Sequence, residues 1–195
     1  IEHLHRYAFA KQFTNNKIVV DLACGEGYGT YIISENAKQV TGIDISDETI
    51  KHAIKRYKKS NLNYIVGEAI KTIIPSNSID VVISFETIEH HNKHIEMIME
   101  IKRILKKDGV LIISTPDKNN YSITPKYTNK FHIKELTNIE FFSLIQEHFV
   151  YVNKLYQKTS YCSLITTNDN SQFVEFNGNY DSIILNKQMV SPIYN

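Results

Sequence analysis

The sequence has few cysteines, little net charge and no long apolar run. The longest apolar runs, such as 110–113, are far shorter than the roughly 20 residues that a membrane-spanning helix needs. No basic segment followed by an apolar stretch opens the chain, so a secretory signal is not indicated. The chain starts with Ile1 rather than methionine, which leaves a removed leading segment open.

The two cysteines exclude a disulfide framework. Cys24 and Cys162 form no C-x-x-C pair, and Cys24 lies inside a glycine-rich segment where a disulfide would obstruct the backbone. A reducing, cytoplasmic compartment is therefore expected.

The net charge of +1 argues against a protein that coats nucleic acid. The densest basic stretch, 51–59, has lysines and an arginine at helical spacing, and a solvated helix face is favoured there over a phosphate-binding surface. The composition is otherwise ordinary for one globular domain, with 42% hydrophobic and 22% charged residues in 195. We expect a single domain over 1–195.

Apolar runs and chain breakers alternate between strand and helix patterns. Helices are predicted at 2–13, 28–34, 46–59, 94–105 and 134–147, and strands at 18–22, 40–45, 63–66, 79–84, 110–114 and 149–156. A turn is predicted at 107–109 and a long binding loop at 115–132. The pattern weakens beyond 157, where 172–176 and 182–185 suggest a hairpin. The alternation predicts a mostly parallel, Rossmann-like sheet between two helix layers, with ligands at the carboxyl ends of its strands.

The most informative segment, 19–29, follows the first strand and opens a helix. Gly25 and Gly27 allow a sharp turn and let a ligand approach the backbone. The pattern is G-x-G-x-G with Thr30 following, whereas dinucleotide-binding turns have G-x-G-x-x-G. Asp21 and Glu26 repel a pyrophosphate and suit a ligand with an ammonium group, such as the methionine part of S-adenosylmethionine (SAM). SAM is favoured over NAD.

Acidic residues also follow the next two strands. Asp44 lies 19 residues after Gly25, where a carboxylate can accept hydrogen bonds from ribose hydroxyls. A helix-capping role is less favoured, because Ser46 holds the better cap position. Glu68 or the backbone N–H of Ala69 can meet the adenine edge, although a plain surface role for the Glu68 side chain is equally consistent.

Taken together, these segments resemble the class I SAM-dependent methyltransferases. The motifs that carry the resemblance are 21–29, 42–44, 67–69, 80–90 and 105–111, and the match spans about 1–155. The resemblance implies a seven-stranded sheet. Segments 2–7, 85–91 and 129–132 are most similar to bacterial methyltransferase domains associated with cell-surface glycan or O-antigen biosynthesis. The cofactor-binding residues that it implies are Asp21, Ala23, Gly25, Gly27, Asp44, Ile45, Glu68, Ala69, Ser84, Phe85 and Glu86.

The resemblance also places the methyl group of SAM at the end of the fourth strand. Two branches of O-methyltransferases, the ubiquinone-pathway enzymes and the small-RNA 3′-end enzymes, have a divalent-metal site. Glu86, Glu89 and His90 resemble that site, and Mg²⁺ is one candidate ion. In those branches a later histidine precedes the phenylalanine of its motif, whereas His132 follows Phe131 here. His90 and His132 are the candidate catalytic residues. The alternative is that Glu89 and His90 are ordinary polar residues at the start of a helix.

These observations favour a SAM-dependent O-methyltransferase that acts on a sugar or another small polar metabolite. An RNA 3′-end 2′-O-methyltransferase is an alternative that lacks an obvious basic surface. A second alternative is a non-catalytic SAM-binding module of a polysaccharide-biosynthesis protein. A third alternative, an NAD-dependent oxidoreductase, is disfavoured by Thr30.

Overall fold

A computed structural model describes residues 2–159, 163–167, 173–178 and 183–188. Five helices are described: α1 (Glu2–Lys11), α2 (Tyr28–Ile33), α3 (Asp47–Arg56), α4 (His94–Ile104) and α5 (Asn138–His148). The first five strands are β1 (Ile18–Leu22), β2 (Gln39–Asp44), β3 (Leu62–Val66), β4 (Ile79–Phe85) and β5 (Leu105–Ser114). Four more follow: β6 (Leu155–Thr159), β7 (Ser163–Thr167), β8 (Phe173–Gly178) and β9 (Ile183–Gln188). The bounds of β1 are those that the sequence predicts.

Strands β1–β5 form a parallel sheet in the order β3-β2-β1-β4-β5. The chain order reverses between β1 and β4, and in such sheets the carboxyl ends of the two central strands open a crevice for ligands. The α/β Rossmann-like prediction is confirmed. In the part of the chain that the structure describes, this sheet has five strands, so the implied count of seven is not confirmed, and β6–β9 form a second, antiparallel sheet.

Both faces of the parallel sheet are buried, which explains its continuous apolar strands. Alternate residues point to opposite faces. Val20 and Leu22 of β1 pack in one core cluster with α4, whereas Val19 packs in a second cluster that includes Tyr7 of α1 and Ile33 of α2. This arrangement is the expected sandwich of a sheet between helices.

Two predicted elements differ from the structure, and two further elements were not predicted. Residues 107–109 lie within β5, where the pairing with β4 shifts register between Ile79 and Val81, so the expected turn is an irregularity inside a longer strand. Helix α5 begins four residues later than the predicted 134, because Thr137 and Glu140 form a capping box there. Two short helical turns, a 3₁₀ helix at Ile88–His90 and a π-helical turn at Asn119–Ile123, were not predicted.

The predicted sixth strand, 149–156, is wrong for most of its length. Val150 and Tyr151 are 90% and 95% exposed, and pairing begins only at Leu155, in the antiparallel sheet. Apolar alternation indicates a strand but does not specify its partner. The predicted hairpin is confirmed by β8 and β9, whose residues Asn177 and Ile184 pair; residues 172 and 182 lie outside the described ranges.

Cys24 is a buried free thiol, as expected, and burial raises its pKa. Cys162 lies outside the described residues, and the cytoplasmic setting stays a prediction. Among the helices that the structure describes, none combines the length and apolar character that crossing a bilayer demands.

Candidate functional site

The glycine turn joins β1 to α2 in an unusual backbone conformation. Ala23, Gly25 and Gly27 have φ angles of 62°, 53° and 82°, in the left-handed region that favours glycine. A Cβ atom on Gly27 would lie 2.7 Å from the Cβ of Ala53, so this glycine is needed for packing against α3. A Cβ atom on Gly25 would meet nothing within 4 Å. The turn therefore presents backbone to open space at Gly25.

Asp44, at the end of β2, is tied to this turn. Its Oδ2 atom accepts a hydrogen bond from the backbone N–H of Gly25 at 2.9 Å, and Oδ1 accepts one from the N–H of Ser46 at 2.9 Å. Each carboxylate oxygen can accept a further bond. Asp44 thus holds the turn in place and retains acceptor capacity for a ligand. The helix cap belongs to Ser46, whose Oγ accepts from Thr49, as the sequence indicates.

Asp21, at the end of β1, is enclosed. It is fully buried, and its carboxylate accepts hydrogen bonds from Thr30 Oγ1 at 2.7 Å and from the hydroxyl of Tyr7 at 3.1 and 3.2 Å. Burial raises the pKa of Asp21 to about 7, although both hydrogen bonds oppose the increase. A ligand can reach this carboxylate only if Tyr7 moves. The predicted contact with an ammonium group therefore requires the Tyr7 side chain to move.

Tyr7 also covers the end of β4. Its ring makes an edge contact with Phe85 at a centroid distance of 5.1 Å, and it fills the space beside Gly29, where a Cβ atom would lie 2.0 Å from the ring. Gly29 therefore permits α1 to dock, and Phe85 lies beneath Tyr7. The G-x-G-x-G pattern contains Gly29 but does not reveal this role.

The remaining residues predicted at the cofactor follow β2 and β3. Ile45 is 72% exposed, Glu68 is exposed and Ala69 is partly buried. The backbone N–H of Gly67 donates to the carbonyl of Asp44 at 2.9 Å, so the loop that carries Glu68 and Ala69 starts beside Asp44. The structure places these residues at one rim of the sheet.

The end of β4 contributes Ser84 and Glu86. Ser84 is fully buried, and its Oγ atom has no hydrogen-bond partner among the described residues. Glu86 has a φ of 53°, and its Oε1 atom accepts from Ser114 Oγ at 2.7 Å and lies 3.4 Å from Nη1 of Arg6. Glu86 is therefore engaged with β5 and α1.

Glu89, His90 and His132 converge next to this strand end. One donor atom from each lies within 4.8 Å of the others, whereas Glu86, which the sequence grouped with Glu89 and His90, is outside the cluster. Glu89 is buried, its Oε1 atom has no hydrogen-bond partner in the described part of the chain, and its Oε2 atom accepts from Thr115 at 3.1 Å. Burial raises the pKa of Glu89, and the nearby negative charge of Glu86 adds to this. The metal role predicted for Glu86, Glu89 and His90 stays a prediction, and the geometry adds His132 as a further candidate ligand.

Backbone contacts bring His132 to the cluster across 41 residues of chain. The N–H groups of Ile133 and Lys134 donate to the carbonyl of Glu89 at 2.9 and 3.1 Å, and His90 Nδ1 lies 2.9 Å from the carbonyl oxygen of Phe131. A carbonyl can only accept, so Nδ1 of His90 carries the proton and Nε2 presents a lone pair.

His132 is oriented in the same way by a side chain. Its Nδ1 atom lies 2.6 Å from Oε1 of Glu135, and its ring stacks on Tyr121 at 5.1 Å. A carboxylate at Nδ1 leaves Nε2 as the free nitrogen. Sequence analysis missed Glu135, Tyr121 and Thr115, and the only signal for Glu135 was its position three residues after His132.

Comparisons with known proteins find similarity to methyltransferases. Residues 20–113 match the family model described as "Methyltransferase domain". A probable SAM-dependent methyltransferase of Mycolicibacterium smegmatis is 34% identical over 131 residues, which are 66% of this chain and 49% of that protein. A ubiquinone biosynthesis O-methyltransferase of Nitrosomonas europaea is 30% identical over 109 residues, 54% of this chain and 46% of that protein.

Solved structures of methyltransferases share this fold. The crystal structure of a SAM-dependent methyltransferase from Archaeoglobus fulgidus matches with a TM-score of 0.68 at 18% identity, over 80% of this chain and 71% of that one. The chain spans about half the length of the curated relatives it matches. Residues 20–113 are thus similar to a methyltransferase domain, the relatives that the chain matches are SAM-dependent methyltransferases, and the chain has a methyltransferase fold.

Proposed function

We propose that this chain transfers the methyl group of SAM to a hydroxyl oxygen, and that the hydroxyl belongs to a sugar or another small polar metabolite. The observation that carries the proposal is the convergence of Glu89, His90 and His132 beside the end of β4. The oxygen acceptor is also supported by the name of the ubiquinone-pathway relative. The sugar is supported by the resemblance of 2–7, 85–91 and 129–132 to glycan methyltransferases.

Two features around the turn fit SAM. Gly25 faces open space that a ligand can fill, and the buried Ser84 hydroxyl at the end of β4 has no partner within the described ranges. We assign the turn and Asp44 to the adenosine ribose, and Ile45, Glu68 and Ala69 to the adenine edge. Asp21 would face the methionine ammonium group after Tyr7 shifts, with Ser84, Phe85 and Glu86 nearest the methyl group. Bound SAM supplies a methyl group on a positively charged sulfur.

The cluster then handles the acceptor. As the acceptor oxygen bonds to the methyl carbon, the carbon–sulfur bond breaks with its electron pair on sulfur, and the hydroxyl proton passes to Nε2 of His132. Glu135 holds the His132 ring with this nitrogen free. A second hydroxyl of the acceptor, such as a sugar carries, can donate to Oε1 of Glu89 or to Nε2 of His90 and so hold the reacting hydroxyl in line for attack. Such positioning supplies much of the rate in transfer reactions.

As an alternative to this proton transfer, the same three donors fit a divalent cation, which would use Nε2 of His132 as a ligand. Two imidazole nitrogens and one carboxylate leave coordination positions open for an acceptor oxygen, and nitrogen donors favour zinc, iron or manganese over Mg²⁺. His90 and His132 each have Nδ1 held by an oxygen, which is the outer contact that metal-ligating histidines usually make. A bound cation would lower the pKa of the acceptor hydroxyl.

A methyl-transfer assay with His132→Ala tests the proposal. Nucleotide sugars and free sugars serve as acceptors, and turnover is measured from the formation of the demethylated cofactor. Calorimetry measures the SAM affinity of each variant. We expect at least a hundredfold lower turnover with unchanged SAM affinity, the scale of general-base removal. Asn92→Ala, an exposed neighbour of His90, is the control and should behave as wild type. Wild-type turnover by His132→Ala would contradict the role of His132, and SAM binding without turnover on any acceptor would favour a binding module.

A further inference from the structure

The loop that carries His132 has an unusual charge. Residues 118–134, here called the basic loop, contain four lysines and no aspartate or glutamate, although the whole chain has a net charge of only +1. Lys126, Lys130 and Lys134 are exposed. None of the ion pairs in the described part of the chain involves them. Lys118 and Lys134 interact electrostatically with Glu140, whereas Lys126 and Lys130 have no acidic partner among the described residues.

The basic loop also exposes large apolar side chains. Ile123, Tyr127, Phe131 and Ile133 are 56%, 52%, 65% and 67% exposed. A surface loop that faces only water has no physical need for this much apolar surface. Lysines interspersed with aromatic and aliphatic residues are typical of segments that lie in the headgroup region of a membrane.

Internal contacts make the basic loop compact and attach it to the site. Tyr121 lies at its centre, where its ring contacts the rings of Tyr127 and His132 and its hydroxyl accepts a hydrogen bond from Asn129 Nδ2 at 3.2 Å. The carbonyl of Phe131 is held by His90. A surface that engages the basic loop would consequently meet the chain next to the cluster of Glu89, His90 and His132.

We propose that the basic loop binds the surface of an anionic lipid bilayer and so presents the cluster to an acceptor carried in that bilayer. The lysines match anionic headgroups, and each lysine near such a surface contributes several-fold to affinity. Ile123 and Ile133 favour the acyl boundary over RNA, since aliphatic side chains cannot stack on bases as aromatic rings do. The inference goes beyond the proposed function, because it concerns where the acceptor is met rather than the transfer itself.

Vesicle co-sedimentation tests the inference with the full chain. The vesicles are pure phosphatidylcholine or phosphatidylcholine with phosphatidylglycerol, at about 0.1 M and about 1 M salt. We expect binding only to the phosphatidylglycerol vesicles, with at least tenfold weaker binding at high salt. Lys126→Glu with Lys130→Glu should lower binding at least tenfold, and Phe131→Ser with Ile133→Ser should lower it by a similar factor.

Matched variants serve as controls. Lys102→Glu with Lys107→Glu changes the same charge at exposed positions on α4 and the first half of β5, and Ile73→Ser with Ile139→Ser removes apolar groups that are 81% and 75% exposed. These should bind vesicles as wild type does. The thermal midpoint and SAM affinity of every variant should match wild type, which separates this test from that of methyl transfer.

Three outcomes would overturn the inference. The first is an absence of binding to phosphatidylglycerol vesicles at low salt, and the second is an equal loss of binding in the control variants. The third is binding to single-stranded RNA that depends on Lys126 and Lys130, with no binding to vesicles. The last outcome would assign the basic loop to nucleic acid.

Discussion

The hydroxyl of Tyr7 on α1 lies 3.1 and 3.2 Å from the two carboxylate oxygens of Asp21 at the end of β1. This contact joins the first helix to the strand end where the charged part of SAM is expected. It also seals the carboxylate from water, since Asp21 is fully buried. The state of α1 and the ionisation of Asp21 are therefore linked.

The first prediction concerns stability and pH. Burial raises the pKa of Asp21 from 3.8 to about 7, so between these values the folded chain holds a proton that the unfolded chain has lost. The free energy of unfolding should therefore fall as pH rises from about 4 to about 7 and change little above that through this group.

Asp21→Asn should remove this dependence. Between about pH 5.5 and about pH 8, the free energy of unfolding of the variant should rise by about 2 kcal/mol relative to that of wild type. The wild-type value falls by about 1.36 kcal/mol per pH unit over the roughly 1.5 units below the pKa of Asp21. Denaturant unfolding at both pH values measures it, and Asp47→Asn, an exposed carboxylate on α3, is the control. An equal difference at the two pH values would show that Asp21 titrates normally.

The second prediction concerns the docking of α1. In Gly29→Ala the new methyl group would collide with the Tyr7 ring, so the free energy of unfolding should fall by about 1–3 kcal/mol, as overpacking does. In a Tyr7→Ala background the same substitution should cost little, because the ring has gone. A double-mutant cycle from denaturant unfolding measures the coupling. Additive effects would mean that Tyr7 does not occupy this space.

The third prediction concerns the cofactor. Asp44→Ala should weaken SAM binding tenfold or more, about 1.4 kcal/mol, because it removes the predicted ribose acceptor and releases Gly25 from its hydrogen bond. Asp47→Ala, three residues further on, should bind SAM as wild type does. Calorimetry measures both affinities. Unchanged affinity in Asp44→Ala would count against the ribose role.

The fourth prediction concerns a cation at the cluster. Titration of Zn²⁺ or Mn²⁺ into the chain should show binding that Glu89→Gln and His132→Ala each weaken tenfold or more, the scale of losing a ligand or its support. Glu86→Gln should retain it, since Glu86 lies outside the cluster. If methyl transfer is unaffected by chelators and no cation binds, the metal role fails and the proton-acceptor role of His132 remains.

Much of the parallel sheet could be predicted, because it depends on local pattern. The segment 18–22 is an apolar, β-branched run that ends at a glycine turn, and β1 has the same bounds. The spacing from Gly25 indicated a cofactor role for Asp44, which stays a prediction, whereas the hydrogen bond that Asp44 accepts from Gly25 was not predicted. The partners of β6 could not be predicted, since apolar alternation is the same whichever strand lies beside it.

The sequence alone determined the strand–helix order, the glycine turn and the acidic residues at the ends of β1 and β2, because each depends on spacing along the chain. Only the tertiary structure decided what those residues touch. Thr30 appeared in the sequence as a missing glycine, whereas in the fold its hydroxyl donates to Asp21. Glu86 is close to Glu89 in sequence, yet His132 takes its place in the cluster, because the carbonyl of Glu89 binds the backbone of the loop that carries His132.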